Sequence, residues 1–336
     1  MNKILTIVIP AYNMEKYLSK CLESVLLPEF QENLEVLLIN DGSKDQTLSI
    51  AKEYEEKYPQ ILRVIDKPNG GWGTAINRGI AEAKGKYFRT LDADDWYDTK
   101  ELEQFIFLLK NIDVDLAATS FTRVYEDSYR DNENDIYPED LCGKTIDFKD
   151  YLKTNNYTKY LPIQAITFRT QLLQDNPIII SDRYYTDIEY NLIPLVYVDT
   201  VYFSQINLYR YFLGREGQSV SLSGYKKHLI DYINMCKKLT SFYAEQKQEM
   251  TDEMKITYFK DNANVVRFAY KLLLSPRFGE ENDTRLEEAK KLDQFLKNTS
   301  IDLYKSANQV KLKKMIPYIW IWRFSGLNLL KLEKQS

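Results

Sequence analysis

Histidine is almost missing from this sequence: His228 is the single one in 336 residues. That scarcity excludes a poly-histidine metal site and a Ser-His-Asp machine repeated in several parts, so proton transfer and metal binding must fall to carboxylates. Cysteine is nearly as rare. Cys21, Cys142 and Cys236 are far apart and odd in number, which excludes a disulfide framework and a zinc cluster and fits a reducing compartment. An excess of positive charge is absent as well: the net charge is −4 and the pI near 5.4, so no global field collects nucleic acid, and none is expected as a partner. The opening stretch MNKILTIVIPAYN has too short an apolar run for a signal peptide and is expected to be a strand, with the protein made and kept in the cytoplasm. What is present is a 44% apolar, 28% charged chain, the composition of a folded protein with a real core and neither a disordered chain nor a polytopic membrane protein. Its length suits one large domain with an appendage, or two domains.

Residues Leu5 to Pro10 are apolar and β-branched on both faces, as in a strand buried within a parallel sheet. A helix pattern from about Glu15 to Leu27 follows, then a second strand from Glu35 to Asn40 that stops at Asp41-Gly-Ser. A helix over Thr47 to Lys57, a third strand over Ile61 to Asp66, the glycine loop Asn69-Gly-Gly-Trp-Gly73, a helix to about Lys84 and a fourth strand over Tyr87 to Leu91 complete the alternation. This pattern predicts an α/β fold, an open, mostly parallel sheet with helices on both faces, whose ligands gather at the carboxyl ends of the strands. The stretch from about Asp127 to Asp150 is polar and acidic and reads as an excursion without regular elements. Strand-like runs recur at Leu161 to Arg169 and Val198 to Phe203, and Lys226 to about Leu296 reads as helical, with a domain boundary near residue 222.

Polar residues close successive strands: Tyr12 and Asn13, then Asp41, then Asp92-Ala-Asp94-Asp95. Folding would bring them into one crevice. There the Tyr12 ring can stack on a nucleobase, Asp41 can accept a uracil imide N–H, and Asp94 can give oxygen to a hard cation, Mn²⁺ or Mg²⁺, that holds a donor diphosphate. The glycine loop lacks both Gly-Lys-Ser/Thr and G-x-G-x-x-G, so it is not an ATP or NAD site.

The segments TIVIPAYN, LLINDGSKDQT, PNGGWGTAINRGIAEAKGKY and TLDADDW, in this order, resemble the family 2 glycosyltransferases of GT-A fold, over roughly the first third of the chain. The resemblance implies that Pro10, Ala11, Tyr12 and Asp41 hold the nucleoside, that Asp92 lies by the ribose or sugar, that Asp94 is the metal ligand, and that Asn77 and Arg78 approach the donor sugar or diphosphate. One departure is visible, Asn40-Asp41 in place of a double aspartate. The family's base-bearing stretch is matched by Tyr185-Thr-Asp-Ile-Glu189, which makes Asp187 the group that deprotonates the acceptor hydroxyl, with Glu189 as the alternative, and implies a single displacement with inversion. The run Arg210 to Ser221 resembles a loop that closes over the donor, where Arg215 would pair with the diphosphate and Gly214 and Gly217 would permit movement.

These residues imply a glycosyltransferase acting from a nucleotide-sugar donor, a UDP-sugar, on a glycan or lipid-linked acceptor, with a donor half over about 1–97, an acceptor half over about 98–222 and a helical region over 223–336. A donor-binding module without turnover and a hydrolase are the competing readings; Asp94 and Asp187 argue against the first, and a nucleotide pocket that glycosidases do not need argues against the second. His228 reads as a helix residue, with a metal role as the alternative. In the tail, 311–332, lysines mix with Trp, Tyr and Ile, while Pro317 and Arg323 interrupt any spanning length. Such a segment suits peripheral contact with the headgroup layer at the inner face of the membrane, or packing on the protein itself.

Overall fold

All seven residues of Leu5–Ala11 are buried, and an apolar segment covered on both faces is an inner strand, β1. The structure, a computed structural model, describes residues 3–126, 132–153, 161–214, 222–275, 278, 283–309, 317–326 and 328. β1 pairs in parallel with β2 (Leu34–Asp41) on one side and β4 (Tyr87–Thr90) on the other, and β2 pairs in parallel with β3 (Leu62–Lys67). Helices α1 (Leu18–Glu23), α2 (Thr47–Lys57) and α3 (Trp72–Glu82) make the crossovers. The chain therefore steps outward from β1 to β3 and returns to lay β4 on the other flank of β1. The crevice at the carboxyl ends of β1 and β4 is the switch point where such sheets bind ligands.

Beyond β4 the sheet becomes mixed, in the order β3-β2-β1-β4-β9-β6-β10-β5. Here β5 is Trp96–Tyr97, β6 Leu116–Tyr125, β9 Ile166–Arg169 and β10 Thr200–Leu213. β9 runs antiparallel to β4 and β6 and leads straight into helix α6 (Thr170–Asp175), β10 is parallel to β6, and β5 is antiparallel to β10. Arg89 of β4 pins this junction: it is fully buried, and its guanidinium donates to Thr167 Oγ1 (2.8 Å), Thr119 Oγ1 (3.0 Å), Tyr97 Oη (3.1 Å) and the carbonyls of Ala165 and Gln164. Complete hydrogen bonding is what makes a buried cation tolerable. Helix α4 (Thr99–Asn111) is capped by Asp98, whose Oδ1 accepts from Lys100 and Glu101 N–H and whose Oδ2 takes Arg210 at 3.0 Å.

Three expectations are corrected. The first helix is shorter than the span Glu15 to Leu27: Glu15 to Tyr17 form a turn, and Leu27, extended ahead of Pro28, does not continue the helix. The acidic stretch carries regular structure, with β7 (Glu133–Asp135) on β6, β8 (Thr145–Asp147) on β10, and α5 (Phe148–Lys153). Arg210 to Leu213 are the end of β10 and not a closing loop, held by pairing with Thr122 to Tyr125. Residues 215–221 of that run, Arg215 and Gly217 among them, lie outside the described residues.

The chain divides into two compact units, Met1–Glu216 and Gly217–Ser336. The described part of the second is helical, with α8 (Leu222–Lys227), α9 (Leu229–Gln246), α10 (Asp252–Leu274), α11 (Asp283–Thr299), α12 (Ile301–Ser306) and α13 (Tyr318–Ser325). His228 stands at the head of α9 with Nδ1 3.3 Å from Asp231 Oδ2. In α13, Tyr318, Ile319 and Trp322 are buried, and Arg323 reaches Asp293 Oδ1 (2.6 Å), Asn308 Oδ1 (2.6 Å) and the Tyr304 carbonyl (2.8 Å) while lying 3.7 Å over the Tyr304 ring. Arg323 is thus an internal anchor. Trp320 and Phe324 are exposed and stacked on each other, with ring centroids 5.9 Å apart. Among the described residues no helix is long and apolar enough to cross a membrane.

Candidate active site

β1 ends in buried Pro10 and Ala11, and the next residue, Tyr12, turns out to solvent at 42% exposure. Asn13 follows with φ +54°, a left-handed conformation that asparagine tolerates. Its Oδ1 accepts Lys44 N–H at 2.8 Å, so the loops after β1 and β2 are stitched together beneath the exposed ring.

Asp41 closes β2 and is 3% exposed. Its Oδ1 accepts Gly70 N–H (2.9 Å) and Lys67 Nζ, and its Oδ2 accepts Gly71 N–H (2.8 Å) and Asn69 Nδ2 (3.2 Å). Four donors fill the acceptor sites of one carboxylate. Asp41 therefore clasps the glycine loop, and a uracil imide that reached it would have to replace one donor, of which Asn69 is the longest. Gly71, at φ +84°, gives that loop a turn that side-chain-bearing residues rarely adopt.

The acidic turn after β4 is held from two sides. Asp92 Oδ1 accepts Trp72 Nε1 at 3.0 Å, which ties the turn to the first residue of α3. Asp95, 2% exposed, accepts Tyr209 Oη at 2.5 Å and Phe212 N–H at 2.7 Å from β10, and the same Tyr209 oxygen receives Asp92 N–H at 3.3 Å. Asp94, half-buried, lies between these fixed neighbours. Burial pushes the Asp95 carboxyl well above the ordinary range, and the charges of Asp94 and Asp92 push it further. Burial and then Asp95, Asp94 and Asp92 do the same to the Cys21 thiol underneath. Negative potential is thus concentrated at the carboxyl end of β4.

This donor set fits a hard divalent cation of one kind. Among the described residues no group of three or more His, Cys, Asp or Glu side chains forms a cage. Mg²⁺ and similar ions are commonly held by one or two carboxylates plus substrate phosphates, and an acidic turn with Asp94 half-buried offers that incomplete set.

Asp187 is the first residue of the short helix α7 (Asp187–Leu192), with Thr186 at the N-cap. It reaches solvent, yet protein surrounds it closely enough that lost hydration raises its pKa, with the charge of Glu189 adding to the effect against the local N–H groups. Glu189 itself is fully buried, and its Oε2 accepts Ser181 N–H at 2.9 Å. Tyr211, half-buried on β10, joins the two acidic regions. Its phenol is pushed up by burial and then by the charges of Asp95, Asp92, Asp187 and Asp94, so Asp187 and the acidic turn act on one hydroxyl.

The structure does not bring every expected residue here. Asn77 spends both ends of its amide on one backbone unit, donating to Ile180 O (2.7 Å) and accepting Ile180 N–H (2.9 Å). Arg78 is exposed on α3 and paired with Glu82 at 2.8 Å. Trp72, Tyr209, Tyr211 and Phe212 were missed in the sequence. The alternation Tyr209-Arg210-Tyr211 at the end of an apolar run is the signal that would have extended β10 to them.

A sequence profile of Glycosyl transferase family 2 matches residues 6–175, half of the chain. The chain belongs to that family. Among its relatives, the family 2 chain is 29% identical over 164 residues to the glycosyltransferase GlyA of Streptococcus pneumoniae serotype 4 (strain ATCC BAA-334 / TIGR4), a match covering 48% of this chain and 23% of GlyA. It therefore spans about a quarter of that relative's length. Among solved structures, residues 1–349 of S. aureus TarS superpose with a TM-score of 0.67 at 16% identity, covering 96% of this chain and 87% of the other; the same TarS segment in complex with UDP gives 0.59. The mannosyltransferase PcManGT from Pyrobaculum calidifontis, in complex with GDP-Man and Mn²⁺, gives 0.51 at 14% identity, with 92% and 87% covered. At these identities the likeness is one of fold, and the fold is GT-A.

Proposed function

We propose that this family 2 chain transfers a glycosyl group, with inversion, from a UDP-sugar to a hydroxyl of a glycan or lipid-linked acceptor. One observation supports the reading above the others: Trp72, whose indole N–H is held by Asp92 of the acidic turn, packs edge-on against Tyr190 of α7, the helix that Asp187 begins, with ring centroids 5.9 Å apart. A base and a diphosphate site on one cleft are what a single displacement requires.

In this reading Pro10 and Ala11 line the nucleoside site, the exposed Tyr12 ring stacks on the uracil, Asp41 takes the imide N–H in place of Asn69 Nδ2, and Asp92 faces the ribose or sugar. Asp94 would hold Mn²⁺ or Mg²⁺ together with the donor phosphates. When bound, that ion neutralises the charge growing on the leaving diphosphate. Arg215 pairs with the same diphosphate. Asp187 accepts the acceptor's proton as its oxygen attacks the anomeric carbon, and the bond to the UDP oxygen breaks on the opposite face. A raised pKa makes Asp187 a stronger base than an ordinary aspartate. Asn77 and Arg78, engaged with Ile180 and Glu82, are not retained as donor ligands. The donor half spans about 1–97 and the acceptor half about 98–222, and exposed Trp320 and Phe324 with the tail lysines carry peripheral contact at the inner membrane face.

The test is nucleotide release from a panel of UDP- and GDP-sugars with Mn²⁺ and a lipid-linked acceptor. Acceptor-dependent UDP release is expected. Release without acceptor would indicate a hydrolase, and tight donor binding without release a binding module.

A further inference from the structure

The segment leading to Asp187 is gripped at its start by residues that the reaction itself does not use. Asn77 of α3 closes a two-way amide pair with the backbone of Ile180, at 2.7 and 2.9 Å. The next residue, Ser181, gives its N–H to Glu189 Oε2 at 2.9 Å from the other side. Between these bonds the glycine loop lies against the segment with no room for side chains. A Cβ on Gly73 would stand 1.9 Å from Ser181 O and 2.8 Å from Ile180 Cγ2, and one on Gly71 2.8 Å from Asp182 O. That loop is in turn clasped by Asp41 through Gly70 and Gly71 N–H.

Four residues on, Tyr185 is buried with φ +66°. A bulky residue rarely adopts that conformation, and such strain persists only where the surroundings over-determine the backbone. Asp187 begins α7 two residues later, so its direction is set by a short path from the clamp at Ile180 and Ser181. A helix of six residues, Asp187–Leu192, has little rigidity of its own to set it otherwise.

We propose that Asn77 and Glu189 are positioning residues for the base: they fix the Ile180–Ser181 backbone against the glycine loop, so that the element gripped by Asp41 at the donor end also sets the aim of Asp187. Glu189 serves as a hydrogen-bond acceptor here and not as a second base. This rests on the reading of Asp187 as the group that deprotonates the acceptor.

The experiment compares N77A, E189A, E189Q and D187N for steady-state kinetics, UDP affinity by calorimetry with Mn²⁺, and amide hydrogen exchange. N77A and E189A are expected to lower kcat about tenfold or more, as misplacement of a reacting group does, with UDP affinity unchanged and faster exchange at the Ile180 and Ser181 amides. E189Q, whose amide oxygen still accepts Ser181 N–H, is expected to recover most of what E189A loses. The proposal is overturned if N77A weakens UDP binding with kcat intact, which makes Asn77 a donor ligand. It is overturned equally if E189Q is as inactive as D187N, which makes Glu189 the base, or if exchange at Ile180 and Ser181 does not change. Full turnover by D187N defeats the reading of Asp187 alone; the clamp is then judged on the exchange data. Unchanged UDP affinity also reports that each variant is folded.

Discussion

Tyr209 gives its phenolic hydrogen to Asp95 Oδ2 at 2.5 Å, across 114 positions of sequence. Because the same oxygen accepts Asp92 N–H at 3.3 Å, one hydroxyl from β10 holds both ends of the acidic turn and fixes where Asp94 stands.

Removing that hydroxyl tests the arrangement. Tyr209→Phe leaves a buried carboxylate short of one donor, a loss of about 1–3 kcal/mol, and the turn gains freedom. A lower Tm and a weaker enhancement of UDP affinity by Mn²⁺ are expected in melting and calorimetry. An unchanged Mn²⁺ effect would show that Asp94 is positioned without β10.

Asp94→Ala should remove the dependence of UDP affinity on Mn²⁺ and leave the metal-free affinity near that of the parent. Calorimetry with and without the ion decides it. Retention of the full Mn²⁺ effect would move the metal ligand elsewhere in the turn.

Asp187→Asn should cost roughly 10²–10⁴ in kcat with UDP binding spared, the scale of a lost general base. With Asp187 as the proposed base, acting in its ionised form, kcat/KM should rise with pH through an acid limb that lies above the usual aspartate range, because lost hydration, and then the charge of Glu189, raise its pKa. The stability effect has the opposite sign. A carboxyl whose pKa is raised by folding favours the fold below its unfolded pKa and loses that contribution as pH rises through the folded one. Asp187→Asn stays uncharged throughout, and its Tm at pH 7 should equal or exceed the parent's. A lower Tm would mean that the charge has a favourable partner.

Gly73→Ala probes the close approach of the glycine loop. Its methyl group would stand 1.9 Å from the Ser181 carbonyl oxygen, so backbone must move. Overpacking of this kind costs about 1–3 kcal/mol, and a Tm several degrees lower together with a reduced kcat is expected. A variant as stable as the parent would mean that the 180–182 segment yields freely.

Much of the sheet from β1 to β4 was legible from the chain alone. Leu5 to Pro10 are apolar on both faces, and only a strand within a sheet can bury both; Asp41-Gly-Ser and Asp92-Ala-Asp94-Asp95 break such strands, so their carboxylates had to fall at strand ends. These are local facts of periodicity and turn chemistry. They are sufficient for the order of elements and for the class of the site.

What partners each carboxylate was settled only in three dimensions. Asp41 carries the same sequence mark as a base-binding aspartate, but its four acceptor sites are filled by the loop from Lys67 to Gly71. Asn77 reads as a donor ligand and bonds instead to Ile180, 103 residues away. Tyr209 and Tyr211 carry no motif and become walls of the site because β10 runs beside β6 to its end. Hydrophobic pattern and turn residues act over a few positions and determine strands, helices and where chain reversals fall. Hydrogen-bond pairing over a hundred positions is decided when the sheet closes, and that step selected which of the polar groups at the strand ends face solvent and which serve the fold.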